Sequence, residues 1–343
     1  MANKCFIGWN YFGAQGKLYQ QLKNFIEKHI GVNWEKFADL TAGGGGQIYQ
    51  FAKDGKVVYA NDAGYYSYLC NKAMLTNIDL FKVENIINNV EPKRNFLYKN
   101  WKSQVGDKQL FKGSEKVTSW IDGLLLKTSN ELVLANLGKT LIDIYGYMGN
   151  PVMCVTMADK TKSSEYPLAK FKEKLKYNIL RSKSYCLNSS KNITTWKTAT
   201  EASKNKFLKN CVVYADPAWP YDKSLTTGDI QPYFNYTKLS FTLSRGKQEF
   251  NHLWGTKTTD LEIMQEVSNW INNAFEKKAL CFIVNTQSTN RPSVDFIKKY
   301  LKSKFGDENV LVEIVNSKTY KKLKKEYTLK EYYFLIKNTK QQN

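Results

Sequence analysis

Residues Phe37-Ala38-Asp39-Leu40-Thr41-Ala42-Gly43-Gly44-Gly45-Gly46 decide the fold. The apolar run from Phe37 to Ala42 predicts a short strand, four glycines follow it, and a helix is expected from near Gln47. Strand, glycine loop and helix together open an α/β domain. Glycines let the backbone approach a bound group closely, and the carboxylate of Asp39 at the strand end can accept from an amine or hydroxyl. A glycine run alone can equally be a plain turn. Further along, Val57-Val58-Tyr59-Ala60-Asn61-Asp62 predicts a second strand over 56–61 that runs into an acid sixteen residues past Gly46. A carboxylate there can accept both hydroxyls of an adenosine ribose, so loop and acid together point to a nucleoside-containing cofactor. They do not separate a nicotinamide cofactor from a methyl donor. A phosphate-cradling P-loop is excluded, because no Gly-Lys-Ser/Thr follows the glycines.

Working outward, apolar spacing predicts helices over 17–29, 124–148 and 260–275, and strands over 211–215, 279–285, 310–315 and 331–337. The last two strands flank a connection rich in lysine, from Lys318 to Lys325. From Thr161 to Asn210 there are 12 Lys or Arg against 3 Asp or Glu, with Tyr177, Tyr185 and Trp196 interleaved. Such a segment can lie along a phosphate backbone or form a solvated basic face. The whole chain of 343 residues carries a formal net charge of +20, which favours a polyanionic partner because neutralising phosphates releases condensed counterions. Six scattered cysteines without a CxxC pair, and only His29 and His252 as histidines, predict neither a zinc site nor a disulfide framework. The amino terminus lacks a basic start followed by an apolar run, and no 18-residue apolar stretch occurs, so a cytoplasmic chain is expected.

The choice between cofactors falls to Val212-Val213-Tyr214-Ala215-Asp216-Pro217-Ala218-Trp219-Pro220-Tyr221, an apolar strand that empties into an acid, a proline and an aromatic. The exocyclic N6 of adenine is a weak nucleophile because its lone pair is delocalised into the ring. An enzyme acting there must hold both amine hydrogens with acceptors. The Asp216 carboxylate and the Pro217 carbonyl can be those acceptors, and Trp219 can stack on a base rotated out of its helix.

With these motifs in this order, the chain resembles the DNA adenine N6-methyltransferase family, in the group where the glycine motif comes first, a recognition insert follows and an Asp-Pro-Pro-Tyr motif comes last. Tyr11-Phe12-Gly13-Ala14-Gln15-Gly16-Lys17 is similar to the family's amino-terminal cofactor motif, Asp39 to Gly45 to its glycine motif, and Asp62 to its ribose acid. The resemblance implies an α/β, Rossmann-like methyltransferase fold with a mostly parallel seven-stranded sheet, a terminal β-hairpin and an inserted DNA-recognition subdomain. It implies a catalytic domain over 1–97 and 210–343 and a helical, basic target-recognition region over 98–209.

It also implies S-adenosylmethionine (SAM) as cofactor and no metal. Tyr11, Phe12, Gly13 and Lys17 would border the methionine portion, Asp39, Gly43 and Gly45 would lie beneath it, and Asp62 would hold the ribose. Asp216, Pro217, Ala218 and Trp219 would form the adenine pocket. Double-stranded DNA would cross the basic insert, with Lys183, Lys191 and Lys197 as expected contacts. Two departures stand out: the family's lysine in the first motif falls at Gln15, and its second proline and tyrosine are Ala218 and Trp219. RNA adenine methylation and an inactive DNA-binding relative remain as alternatives. A nicotinamide oxidoreductase leaves Asp-Pro-Ala-Trp and the basic insert unexplained.

Overall fold

The computed structural model describes residues 18–75, 80–95, 115–145, 167–187, 189–220, 239–240, 243–247, 258–322 and 325–339. At its centre is a seven-stranded sheet in the order β3-β2-β1-β4-β5-β7-β6. Strands β1 (Lys36–Asp39), β2 (Val57–Asp62), β3 (Ile193–Trp196), β4 (Cys211–Ala215) and β5 (Cys281–Gln287) run parallel. Strands β6 (Val310–Lys322) and β7 (Lys325–Lys337) close the sheet as an antiparallel hairpin. This is the expected mixed α/β architecture.

The central strands read as continuous apolar runs because both of their faces are covered. One face buries Phe37, Val58, Val212, Ile283 and Leu335 beneath α1 (Tyr19–Ile30) and α2 (Gly46–Lys53). The other buries Tyr59, Val213, Phe282 and Phe334 with Ala202 of the short α8 (Ala199–Ala202), against α9 (Asp260–Glu276) and α10 (Val294–Phe305). Helix α9 starts on a capping box, Thr259 with Glu262, which satisfies two backbone donors at once.

The structure differs from the sequence expectations in three places. The stretch 124–148, expected as one helix, contains the end of α5 (Glu115–Lys127) and α6 (Glu131–Tyr145). Between them Thr128-Ser129-Asn130 diverts the backbone: Asn130 N donates to Thr128 Oγ1 at 3.0 Å, and Asn130 Oδ1 accepts from Val133 N at 3.2 Å. The hairpin arms are longer than expected, since the lysine-rich connection is itself paired backbone up to Lys322↔Lys325. Thr319, Tyr320, Tyr327 and Thr328 among those lysines favour extended chain.

Third, the boundaries of the inserted region shift at both ends. Strand β3 lies within 98–209 yet pairs with β2 as the edge of the sheet, Asp62 opposite Trp196. At the other end α3 (Tyr65–Leu75) and α4 (Leu80–Asn88) share one apolar core with α5, α6 and α7 (Leu168–Lys183), through Leu69, Val83, Trp120, Leu137 and Phe171 among others. The helical body therefore begins at α3, and the sheet resumes at residue 193.

Candidate functional site

The carboxyl ends of parallel strands β1, β2 and β4 bring three acids to one edge. Asp39 ends β1, Asp62 ends β2, and Asp216 follows β4. Register explains the convergence, because Asp39 lies opposite Ala60 on one side and Tyr214 on the other.

Loop 40–45 is tied down from three directions. Leu40 N donates to Tyr214 O at 3.0 Å and Ala42 N to Asn61 O at 2.8 Å. Asp62 grips the loop with its side chain, Oδ2 accepting from Gly43 N at 2.8 Å while Oδ1 accepts from Gly64 N at 2.7 Å. Asn71 Nδ2 donates to Gly43 O at 3.0 Å. Gly43 and Gly45 have φ of 52° and 76°, left-handed values that favour glycine. At Gly45 space is also short: a Cβ would sit 2.3 Å from Met74 Cε and 2.4 Å from Asn71 Oδ1. The glycines are thus a requirement of this loop.

The link to the second loop is direct. Thr41 donates its backbone N–H to Asp39 Oδ1 at 3.0 Å and accepts from Asp216 N at its Oγ1 at 2.7 Å. One residue therefore joins the glycine loop to the Asp-Pro-Ala-Trp loop. In that second loop Pro217 O accepts from Trp219 N at 2.7 Å, and a carbonyl oxygen has a second lone pair for another donor.

Trp219 is placed differently from the stacking expectation. It is 4% exposed, packs in the apolar core on the α9 side of the sheet, and donates from Nε1 to Asn285 O at 2.7 Å. An enclosed indole offers no open face to a base in this arrangement. It pins the loop to β5.

Asp39 is 3% exposed, and burial pushes its carboxyl well above the usual aspartate range, against the Thr41 N–H that favours the ionised form. The charges of Asp216 and Asp62 push it further up. Burial likewise raises Asp62, opposed by the N–H groups of Gly64 and Gly43. Neither Asp39 nor Asp62 forms an ion pair among the described residues. Two buried carboxyls with no cation from the described residues suit a ligand that carries positive charge. SAM, with its ammonium and sulfonium groups, fits that requirement.

Other residues of the site had no signal in the sequence pattern. Asn61 spans the strand ends, donating to Leu40 O at 2.9 Å and Lys197 O at 3.0 Å while accepting from Thr195 Oγ1 at 2.8 Å. Asn285 on β5 is 0% exposed, and neither of its side-chain amide atoms has a partner among the described residues. The hydroxyls of Tyr214 and Tyr333 are buried and likewise without a partner among the described residues. Strand alternation puts all three on the sheet face of α1 and α2, with Asn285 directly opposite Tyr333. Burial raises the hydroxyl pKa of both tyrosines, and carboxylates push it further, Asp216 at Tyr214 and Glu331 followed by Asp216 at Tyr333. Orphaned buried polar atoms beside a carboxylate mark a place where a polar ligand or water completes the hydrogen bonding.

The remaining expected residues fall in separate places. Tyr11, Phe12, Gly13 and Lys17 lie outside the described residues. Lys183, Lys191 and Lys197 are all exposed, the first at the end of α7 and the last immediately after β3. Lys197 is thus one residue past the partner of Asp62.

In comparison with known proteins, a family model described as D12 class N6 adenine-specific DNA methyltransferase matches residues 11–277. No curated protein matches the chain.

Proposed function

Because the chain belongs to the D12 class of N6 adenine-specific DNA methyltransferases, we propose that it methylates an adenine rotated out of double-stranded DNA, with Asp216 and Pro217 holding the N6 amine. The observation that carries this assignment is the 2.7 Å bond from Asp216 N to Thr41 Oγ1, which fixes the amine-binding loop against the glycine loop. That bond ties the loop for the cofactor to the loop for the base, and orientation of this kind supplies much of the rate of a two-substrate reaction.

SAM supplies an electrophilic methyl group when bound. Asp39, Gly43 and Gly45 would hold its amino-acid portion and Asp62 its ribose, with Tyr11, Phe12, Gly13 and Lys17 at the methionine end. The Asp216 carboxylate accepts one N6 hydrogen and the free lone pair of Pro217 O accepts the other, so the amine nitrogen is drawn towards tetrahedral geometry. After methyl transfer N6 carries a surplus proton, and Asp216 is the group placed to receive it. Ala218 stands where the family has proline and leaves the backbone freer there, and both acceptors survive that change. Trp219 anchors the loop to β5 through Asn285 O. Lys183, Lys191 and Lys197 would contact phosphates.

Asp216→Ala tests the assignment. Methylation of duplex DNA should be lost while SAM binding changes little, and turnover retained by the variant would remove Asp216 from the reaction.

A further inference from the structure

The two strands that end the chain continue well past the sheet. β7 pairs with β5 only from Glu331 to Lys337; six further rungs, from Ser317↔Lys330 to Lys322↔Lys325, join β7 to β6 alone. Since β7 runs antiparallel to β5 and meets its last residue as Gln287↔Glu331, these rungs extend beyond the carboxyl edge of the sheet. That is the edge where Asp39, Asp62 and Asp216 stand. Six residues at ~3.4 Å each make a two-stranded ribbon of about 20 Å.

The root of the ribbon is fixed. Glu331 accepts from Gln287 Nε2 of β5 at 2.9 Å and from Asn316 Nδ2 of β6 at 3.1 Å. Ser288 N donates to Lys330 O at 2.8 Å, and Lys330 N returns a bond to Ser288 Oγ at 3.1 Å. Just below, a register shift between Ile314 and Asn316 marks a bulge, which bends a strand and increases its twist. The ribbon therefore leaves the sheet in a set direction.

Its composition is one-sided. Residues 317–330 contain Lys318, Lys321, Lys322, Lys324, Lys325 and Lys330 against Glu326 alone, a net charge of +5. Lysines on an edge strand also discourage pairing with another chain, but here they lie on both arms of the ribbon, including positions paired across it. We propose that this ribbon is a second DNA-binding element, lying against the duplex beside the target adenine. The proposal rests on the methyltransferase reading above. The major groove admits a two-stranded ribbon, and a net charge of +5 suits a groove bordered by phosphates.

Strand order sets where it would touch. From β4, which carries Asp216, β7 and β6 are two and three strands away. At ~4.8 Å per strand this is about 10–14 Å, or roughly 3–4 base pairs of duplex. Lys197 lies past β3, three strands from β4 in the opposite direction. The two basic surfaces would flank the pocket on either side.

The test is duplex binding by the full chain across a salt series, followed by fluorescence anisotropy. Lys321, Lys322 and Lys325 are replaced by Thr; in a second variant residues 318–329 are replaced by Asn-Gly, a two-residue turn that suits a short hairpin. Three lost phosphate contacts flatten the log–log salt slope by about 2.7, so the fall in affinity between about 50 and 200 mM salt shrinks by roughly 40-fold. The shortened ribbon, which loses five lysines, should flatten the slope at least as much, and SAM binding should be unchanged in both variants. Wild-type slopes in both variants overturn the ribbon proposal and leave the methyltransferase reading intact. A wild-type chain that neither binds nor methylates the duplex contradicts the reading beneath it.

Discussion

Asp62→Asn is the substitution whose effect follows most directly from the site. The two carboxylate oxygens of Asp62 each hold a backbone N–H, from Gly43 at 2.8 Å and from Gly64 at 2.7 Å. In asparagine one of these oxygens becomes an NH₂ group, which cannot accept, so one donor loses its partner whichever way the amide turns. Losing a hydrogen bond to a charged group costs about 1.5–3 kcal/mol. Where the ordered glycine loop is what SAM binds, that cost appears as a rise of about ten- to 150-fold in the dissociation constant. Calorimetric titration of SAM into wild-type and variant chains measures it, with thermal unfolding recorded in parallel to catch any part expressed as lost stability. Binding within twofold of wild type, with unchanged unfolding, would refute the view that Asp62 holds the loop in its binding form.

The buried acids predict a pH dependence with a definite sign. Asp39 and Asp62 are raised in the folded chain, so the stability they contribute is fully present below the usual value of 3.8 and is lost as pH rises through the raised values. A cationic ligand favours their ionised forms, so SAM binding should tighten as pH rises above 3.8 and should release protons. Titration in two buffers of different ionisation enthalpy detects the release; identical apparent enthalpies would count against it. Tyr333→Phe removes a buried hydroxyl that has no partner among the described residues, so it should not lower the stability of the unliganded chain. A loss of more than about 1 kcal/mol in denaturant unfolding would mean the hydroxyl is satisfied after all. Charge reversal at Lys183, Lys191 and Lys197 together should weaken duplex binding and flatten its salt dependence, and an unchanged slope would move the DNA path away from the β3 side of the sheet.

What could be read from the sequence was what burial writes into it. Strand β4 is legible to the residue because Cys211–Ala215 is fully buried. Helix α9 is legible from its apolar spacing, since Ile263, Val267, Trp270 and Ile271 are all buried. The three acids were found because each ends an apolar strand. Strand β3 was hidden: Ile193-Thr194-Thr195-Trp196 is short, only partly buried, and set in a lysine-rich stretch, although its β-branched residues are a faint signal. The true length of the hairpin was masked by lysines that resemble a solvated loop. Trp219 reads as a stacking residue by motif, and only the packing of Ile263, Val267 and Trp270 in the same cluster reveals it as an anchor. The unpartnered amide of Asn285 could not be read at all, since hydrogen-bond satisfaction depends on neighbours that sequence does not state.

The most direct measurement is incubation of the purified chain with methyl-tritiated SAM and unmethylated duplex DNA, followed by nucleoside analysis of the product. Label recovered as N6-methyladenine, and absent when Asp216 is replaced by Ala, is the predicted result. DNA without label, from a chain that still binds both SAM and the duplex, would contradict an Asp216 pocket that acts on adenine in DNA.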